Sequence, residues 1–596
     1  MKKLAVWMLG LAFVLTHVAC SSNIIEFTDS VPVVQAASVS GGGASTTVSI
    51  QQTSATLAPI TVKYDSDDLG AGGSSSEGAT IDLEGDSITV EGDGVIVDGS
   101  VVTITAAGTY NISGTLNDGQ IVVDTQDEET VYLVLNGVDI TYGTSAPIYV
   151  SNAEKTVITL ADGTENVVTD GASYLFDVET DEPNAAVFSK DDLTINGTGS
   201  LTVYANYNNG IASKDDLKIT GGTLTVYAVN DGLKGRDSIA IKAGAITVDA
   251  GGDGLQSNND EDVDKGYIAI EGGTFTITAG LDAIQAETGV LVSGGDFILT
   301  SGAGQTSAAD SGKGIKAGVD LTITGGTFEI DSVDDALHSN GSLTIDNGVF
   351  FLVSGDDGIH SEYSLTINGG EINVLQAYEG FESAVITIND GNIHLVTTDD
   401  GLNATTGAGG GQVDGSYFYL NGGTIVLDAS GDGLDSNGTA VMTGGVVIVQ
   451  GPAFQGNGPL DVNGEFEVTG GTLIAAGSAG MPETPSTSST QNSVALVLDA
   501  TQPGGTMVHV ETLDGEDVLT YESPKDFQLF VFSSPELETN ETYTVYVGGD
   551  STGTATDGLY SGGTYTAGTQ VASLDISSSV TTFGSFVSSG RGSKRP

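Results

Sequence analysis

Cysteine is all but missing: Cys20 stands alone in 596 residues, so no intrachain disulfide can brace the fold. Basic residues are scarce as well, with 17 Lys and Arg against 79 Asp and Glu and a formal net charge of −62. Such a chain lacks the basic footprint that nucleic acid requires, which argues against DNA or RNA as a partner. Aromatic residues make up only 6%, with a single tryptophan. No stretch carries the 3.6-residue period of a helix. Apart from Leu4 to Val18 there is no long apolar run, and that one is too short for a comfortable membrane span. Yet 39% of the residues are hydrophobic, too many for a disordered acidic tail.

What the chain has in abundance is glycine, 86 residues of it, and much of it is periodic. Asp356-Asp357-Gly358-Ile359-His360-Ser361 is one copy of a recurring motif. Others are Asn230-Asp231-Gly232-Leu233, Asp334-Asp335-Ala336-Leu337 and Gly431-Asp432-Gly433-Leu434, and the commonest step between motif glycines is 22 residues. A second marker, apolar-x-apolar-x-Gly-Gly-x-apolar-x-apolar, keeps step with the first, as in Leu217 to Val226 and Leu321 to Ile330. A fixed period of this size marks a solenoid. Apolar spacing of two and enrichment in β-branched residues select strands, so the repeats predict an all-β parallel β-helix. Its rungs would stack about 4.8 Å apart, with like residues in columns.

The ends read differently. Lys2 and Lys3 followed by the apolar run look like a secretion signal over 1–20. Val18-Ala19-Cys20-Ser21-Ser22 resembles a bacterial lipobox, although His17 departs from it. Cys20 is therefore expected to carry lipid and tether the chain to a membrane face, with simple cleavage and secretion as the alternative. Residues 21–60 read as a linker or stalk and 61–183 as an N-terminal cap with irregular rungs. Regular rungs are expected over 184–480, a β-rich C-terminal cap over 481–575 and a tail over 576–596, the whole being a monomer.

Two columns carry the candidate chemistry. Just before the motif glycine stand Asp231, Asp253, Asp282, Asp335, Asp357, Asp400 and Asp432, and one position earlier Asp334, Asp356 and Asp399. Carboxylates one rung apart repel by about 3.5 kcal/mol at an effective dielectric near 20. Within the first column only Lys313 is basic, so these acids are expected to hold Ca²⁺, which favours carboxylate and carbonyl oxygens. Asp260 and Asp262, in the inserted loop Asn258 to Asp264, belong to the same metal expectation. Asp before Gly also favours turns in which the side chain bonds nearby backbone, and that role stays open. The second column, two positions after the glycine, includes Lys234, Gln256, Lys316, His338 and His360. It is expected to face outward and hydrogen-bond a polymer's hydroxyls. Tyr204, Tyr207, Tyr227 and Tyr378, with Phe381 nearby, are candidate platforms for sugar rings, edge packing being the alternative.

Several segments resemble a family of secreted bacterial right-handed β-helix proteins that bind plant cell-wall polysaccharide. They are Ile104 to Asn117, Leu133 to Val150, Asn184 to Gly197, Asn209 to Gly222 and Phe530 to Pro535, within a likeness that runs from about Tyr64 to Ser573. The resemblance implies a right-handed parallel β-helix similar to polysaccharide lyases. It further implies non-catalytic binding of cellulose or acidic pectin, with bound calcium, at the cell surface. A pectate-lyase-like activity is the alternative, with Lys214, Lys234, Arg236 and Lys316 beside the acidic column as possible bases. A surface adhesin without sugar specificity is a further one.

Overall fold

The computed structural model describes residues 58–70, 78–176, 182–303, 312–407 and 413–586. The chain divides into Met1–Ile50 and Gln51–Pro596, and the described residues all belong to the second unit. The signal segment, Cys20 and nearly all of the expected stalk lie outside the described residues.

The period-two pattern builds strands throughout, and among the described residues the single helix is the one-turn Ser66–Leu69. No described helix is long and apolar enough to cross a membrane. Each regular repeat supplies three strands. In one repeat they are Asn209–Ser213, Asp216–Ile219 and Thr223–Ala228; in the next, Leu233–Gly235, Ser238–Ile241 and Ala245–Ala250. Each strand pairs in parallel with its counterpart one repeat on: Ile211 with Leu233, Leu217 with Ile239, Leu224 with Ile246. The short first strands form a 16-stranded sheet from Val95–Asp98 to Leu460–Val462, while the other two ladders belong to a 33-stranded sheet. These two ladders meet at Val131–Tyr142, which pairs with both Lys155–Leu160 and Glu165–Asp170.

In-register pairing puts like upon like. The inward Leu, Ile, Val and Phe side chains of all three ladders form one continuous buried cluster. Burying each such side chain stabilises by about 1.5–3 kcal/mol, so every repeat depends on the cover of its neighbours. The Gly-Gly turns make room for this core. The second glycine has a positive φ, +122° at Gly273, +120° at Gly295, +115° at Gly326 and +138° at Gly348. A Cβ on Gly348 would stand 2.8 Å from the Phe350 ring and 3.2 Å from the carbonyl oxygen of Gly326. Gly348→Ala is therefore expected to lower unfolding free energy by about 1–3 kcal/mol, read as a shift in urea midpoint. An unshifted midpoint would show that the turn relaxes freely.

Both ends of the stack are covered. Gly78–Gly85 pairs in parallel with Gly108–Leu116 and antiparallel with Ile88–Gly92. At the far end Phe527–Ser533 runs antiparallel to Thr472–Gly477 and to Ser493–Gln502, which ends the parallel ladder. Such cover removes an open template edge. A second hydrophobic cluster and a six-stranded sheet complete that end. Residues 58–70 are bound across several repeats. Asp68 is fully buried, 2.5 Å from Lys155 Nζ and 3.6 Å from Lys218 Nζ, and accepts a hydrogen bond from Thr194 Oγ1 at 2.7 Å. The Lys242 ammonium lies 4.9 Å from the centre of the Tyr64 ring. Asp65 and Asp68 form a capping box on the short helix, and this pattern was the available sequence signal.

Candidate functional site

The motif acids sit where the chain turns into the short strand. Asp231, Asp253, Asp282, Asp335 and Asp357 are all buried. One carboxylate oxygen accepts the backbone N–H of the equivalent residue one repeat on. Asp231 receives Asp253 at 3.2 Å, Asp253 receives Asp282 at 3.0 Å and Asp335 receives Asp357 at 3.0 Å. The second oxygen meets the side chain three residues on, in the second column: Asp231 with Lys234 at 2.9 Å, Asp335 with His338 Nδ1 at 2.7 Å, Asp357 with His360 Nδ1 at 2.8 Å. Asp253 pairs with Gln256 in the same way, and Asp282 lies 3.5 Å from Lys316 in the next repeat. The two expected columns are thus one paired structure.

This corrects the expectation that Lys313 alone offsets the acids. Lys234, Lys316 and the histidines share that work, while Lys313 itself bridges Asp334 at 2.5 Å and Asp335 at 3.0 Å. Burial acts to raise the Asp335 carboxyl, but the His338 hydrogen bond and the Lys313 charge bring it down to about 2. Burial acts to lower His360, but its bond to Asp357 and the charge of Asp335 lift it to about 9. The His338 and His360 rings lie 5.0 Å apart. Asp356 groups with Asp334 and Asp335, beside Lys313.

Past His360 the compensation stops. Strand partners continue the second column as Glu382, Asn403 and Asp435. Carboxylate oxygens of Asp357, Glu379 and Glu382 lie within 4.8 Å of one another, as do those of Asp400, Asp432 and Asp435. Among the described residues none of these six acids pairs with a lysine or arginine, and the one histidine partner is that of Asp357, His360. Burial first, then the charges of Asp400, Asp461 and Asp432, pushes Asp435 up to about 8. Asp400 and Asp432 rise to about 7, again chiefly by burial, and Glu379 to about 8 by burial and its hydrogen bond to Glu382. Asn403 lies between the groups, nine-tenths buried at 9% exposure. Its Nδ2 donates to Glu379 at 2.7 Å and to Glu382 at 3.2 Å, while its Oδ1 is buried with no partner. The amide nitrogen serves the preceding repeat, and the strand partner of Asn403 in the next is another acid, Asp435. An orphaned buried acceptor costs about 1–3 kcal/mol, and acceptors facing acceptors call for a proton or a cation.

Stability should follow that requirement. These acids ionise near 4 in the unfolded chain but near 7 to 8 when folded, so between the two the folded state holds more protons. Stability in chelator is therefore expected to fall as pH rises from about 4 to 8, by up to about 1.4 kcal/mol per pH unit for each proton so held. Denaturation midpoints across that range test it, and a rising or flat profile would contradict it.

The remaining candidates are dispersed. Asp260 and Asp262 join no metal-sized group among the described residues, and their neighbour Glu261 pairs with Arg236 at 2.7 Å. Tyr204 and Tyr227 do stack, 5.2 Å apart with planes 6° apart, so each covers one face of the other. Tyr207 is stacked on Tyr174 at 4.2 Å within an aromatic cluster. Phe381 is fully buried in the core and offers no platform. Tyr378 is half exposed, with its hydroxyl bonded to Asp399. Glu379, Glu382, Asn403 and Asp435 were not singled out as ligands from sequence. Their positions three residues apart along the motif were the signal.

A family model described as carbohydrate-binding domain-containing protein matches residues 98–358 and 352–502. A carbohydrate-binding domain-containing protein of Acetivibrio thermocellus is 56% identical over 128 residues, 21% of this chain; the match spans 45% of that relative's length. A solved structure of a polysaccharide lyase-like protein from C. thermocellum, a gadolinium derivative, is 42% identical, with a TM-score of 0.36 over 45% of this chain and 96% of that one. With the family model covering most of the repeat stack and its acidic strand ends, the chain belongs to the carbohydrate-binding domain-containing protein family.

Proposed function

We propose that this chain is a non-catalytic, calcium-dependent binder of plant cell-wall polysaccharide, cellulose or acidic pectin, displayed at a bacterial surface by lipid on Cys20. Its repeats wind as a right-handed parallel β-helix, the hand that parallel crossover connections almost always take. One observation carries the metal reading: the uncompensated acids around the orphaned Asn403 Oδ1. Ca²⁺ takes six to eight oxygens at about 2.3–2.6 Å, so donors of one ion lie within roughly 5 Å of each other. Asp400, Asp432, Asp435 and Asn403 supply three carboxylates and a carbonyl of the right kind. Glu379 and Glu382 are the next donors along the column. The ion would neutralise these acids and offer its open positions to sugar hydroxyls or carboxylates.

Affinity gels containing a soluble cellulose derivative or polygalacturonate test the reading. Retardation in calcium, lost in chelator, is the expected result; unretarded migration in every gel would refute it. Lyase action is the lesser reading. It needs a deprotonated base beside the bound uronate, and Lys214, Lys234, Arg236 and Lys316 each have an acidic partner that favours the protonated form. Growth of unsaturated-uronate absorbance would reinstate it.

A further inference from the structure

We infer that a basic recess on the short-strand sheet binds the carboxylate of an acidic sugar directly, without a metal ion. This rests on the carbohydrate-binding reading above. The recess, about 200 Å³, is lined by Lys214, Lys234 and Arg236, with Asn184 and Asn258 as neutral polar groups and Phe188 as an apolar wall. Only 17 of 596 residues are Lys or Arg, yet three of them converge here from two consecutive repeats. A polyanion is repelled by most of a surface charged at −62, so an acidic glycan must dock where cations concentrate.

The present partners of these cations fall into two kinds. Lys234 is held by buried Asp231 at 2.9 Å and by Gln256, so it is a fixed charge at the back of the site. Lys214 pairs with Glu182 at 2.8 Å, and Arg236 with Glu261, whose side chain is 76% exposed. The solvated Arg236–Glu261 pair contributes about 0–1 kcal/mol. A ligand carboxylate can therefore replace Glu261, and the planar Arg236 fork can grip it through two hydrogen bonds, with Lys214 alongside. Phe188 is fully buried beneath the recess, so the cations and not a ring face decide what it binds.

The site is also distinct from the acidic strip. From Lys234 to Asn403 there are seven strand steps, roughly 34 Å at about 4.8 Å each. Over this stretch the second column runs from Lys234 through Lys316, His338 and His360 to Glu382 and Asp435. A polyuronate lying along it would be held by ion pairs at one end and through calcium at the other.

The test uses the full chain in chelator at low salt, titrated with polygalacturonate and with its methyl-esterified form. Residual binding to the acid polymer, none to the ester, and weakening by added salt are expected. Lys214→Gln combined with Arg236→Gln should weaken that binding about tenfold or more. Lys234→Gln should weaken it less, because it reproduces the Asp253–Gln256 pairing found one repeat on. Melting temperatures certify that the variants are folded. Undiminished binding by the double variant, or equal binding of the ester, would overturn the inference. Wild-type binding in calcium with none in chelator would overturn it alone, whereas no binding in either condition would overturn the carbohydrate reading beneath it.

Discussion

Phe328→Ala should lower unfolding free energy by about 3–5 kcal/mol, the largest loss expected from a single core truncation here. Phe275, Phe297, Phe328 and Phe350 form one column on four successive repeats. Their ring centres are 4.6–4.7 Å apart and their planes within 4°. Phe328 is fully buried and has a ring on each side, so its removal breaks two stacks and leaves a cavity in the core. Each stack is worth about 0.5–1.5 kcal/mol beyond its buried area. The neighbouring rings cannot slide into the gap, because strand pairing pins each to its own repeat. Phe328→Leu keeps most of the volume and should cost clearly less. Chemical denaturation of the three proteins compares them; an alanine variant within about 1 kcal/mol of the parent would mean the stack adds no stability.

Asp435→Asn is expected to act in opposite directions with and without calcium. In chelator above pH 8, where Asp435 has lost its proton, the substitution removes a charge that burial and Asp400, Asp461 and Asp432 disfavour. Stability should then rise by up to about 3.5 kcal/mol, the repulsion between carboxylates about 4.8 Å apart at an effective dielectric near 20. The new amide can also donate to Asn403 Oδ1, which has no partner in the parent. Calcium should stabilise the parent by about 2.7 kcal/mol at a hundredfold excess over Kd, and the variant far less. Melting temperatures in the four combinations decide it. If the variant is weaker in chelator, or keeps its full calcium increment, Asp435 is no part of a cation site.

Much of the architecture was legible from spacing. The 22-residue step, the Gly-Gly turns and the period-two alternation foretold parallel ladders of short strands and columns of like residues. Register alone also places Phe381 beside Ile359 and Leu402, facing inward, so its reading as a platform was avoidable. Other features needed contacts that no local pattern contains. Tyr207 is covered by Tyr174, which comes from a turn 33 residues earlier. The segment around Asp68 is tied down by Lys155 and Lys218, which belong to repeats far along the chain.

By itself the sequence determined which residues share a column, because a fixed repeat length with in-register pairing leaves no other alignment. Only the tertiary structure decided which acids are neutralised. That depends on how the turn before each short strand swings a carboxylate oxygen onto the side chain three residues later. Where that side chain is lysine or histidine a cation faces the acid; where it is Gln256 there is only a hydrogen bond, and burial with the charges of Asp282 and Asp231 pushes Asp253 up to about 7. Where it is Glu382 or Asp435 two acids are buried together, and a composition of −62 could not tell one case from the other.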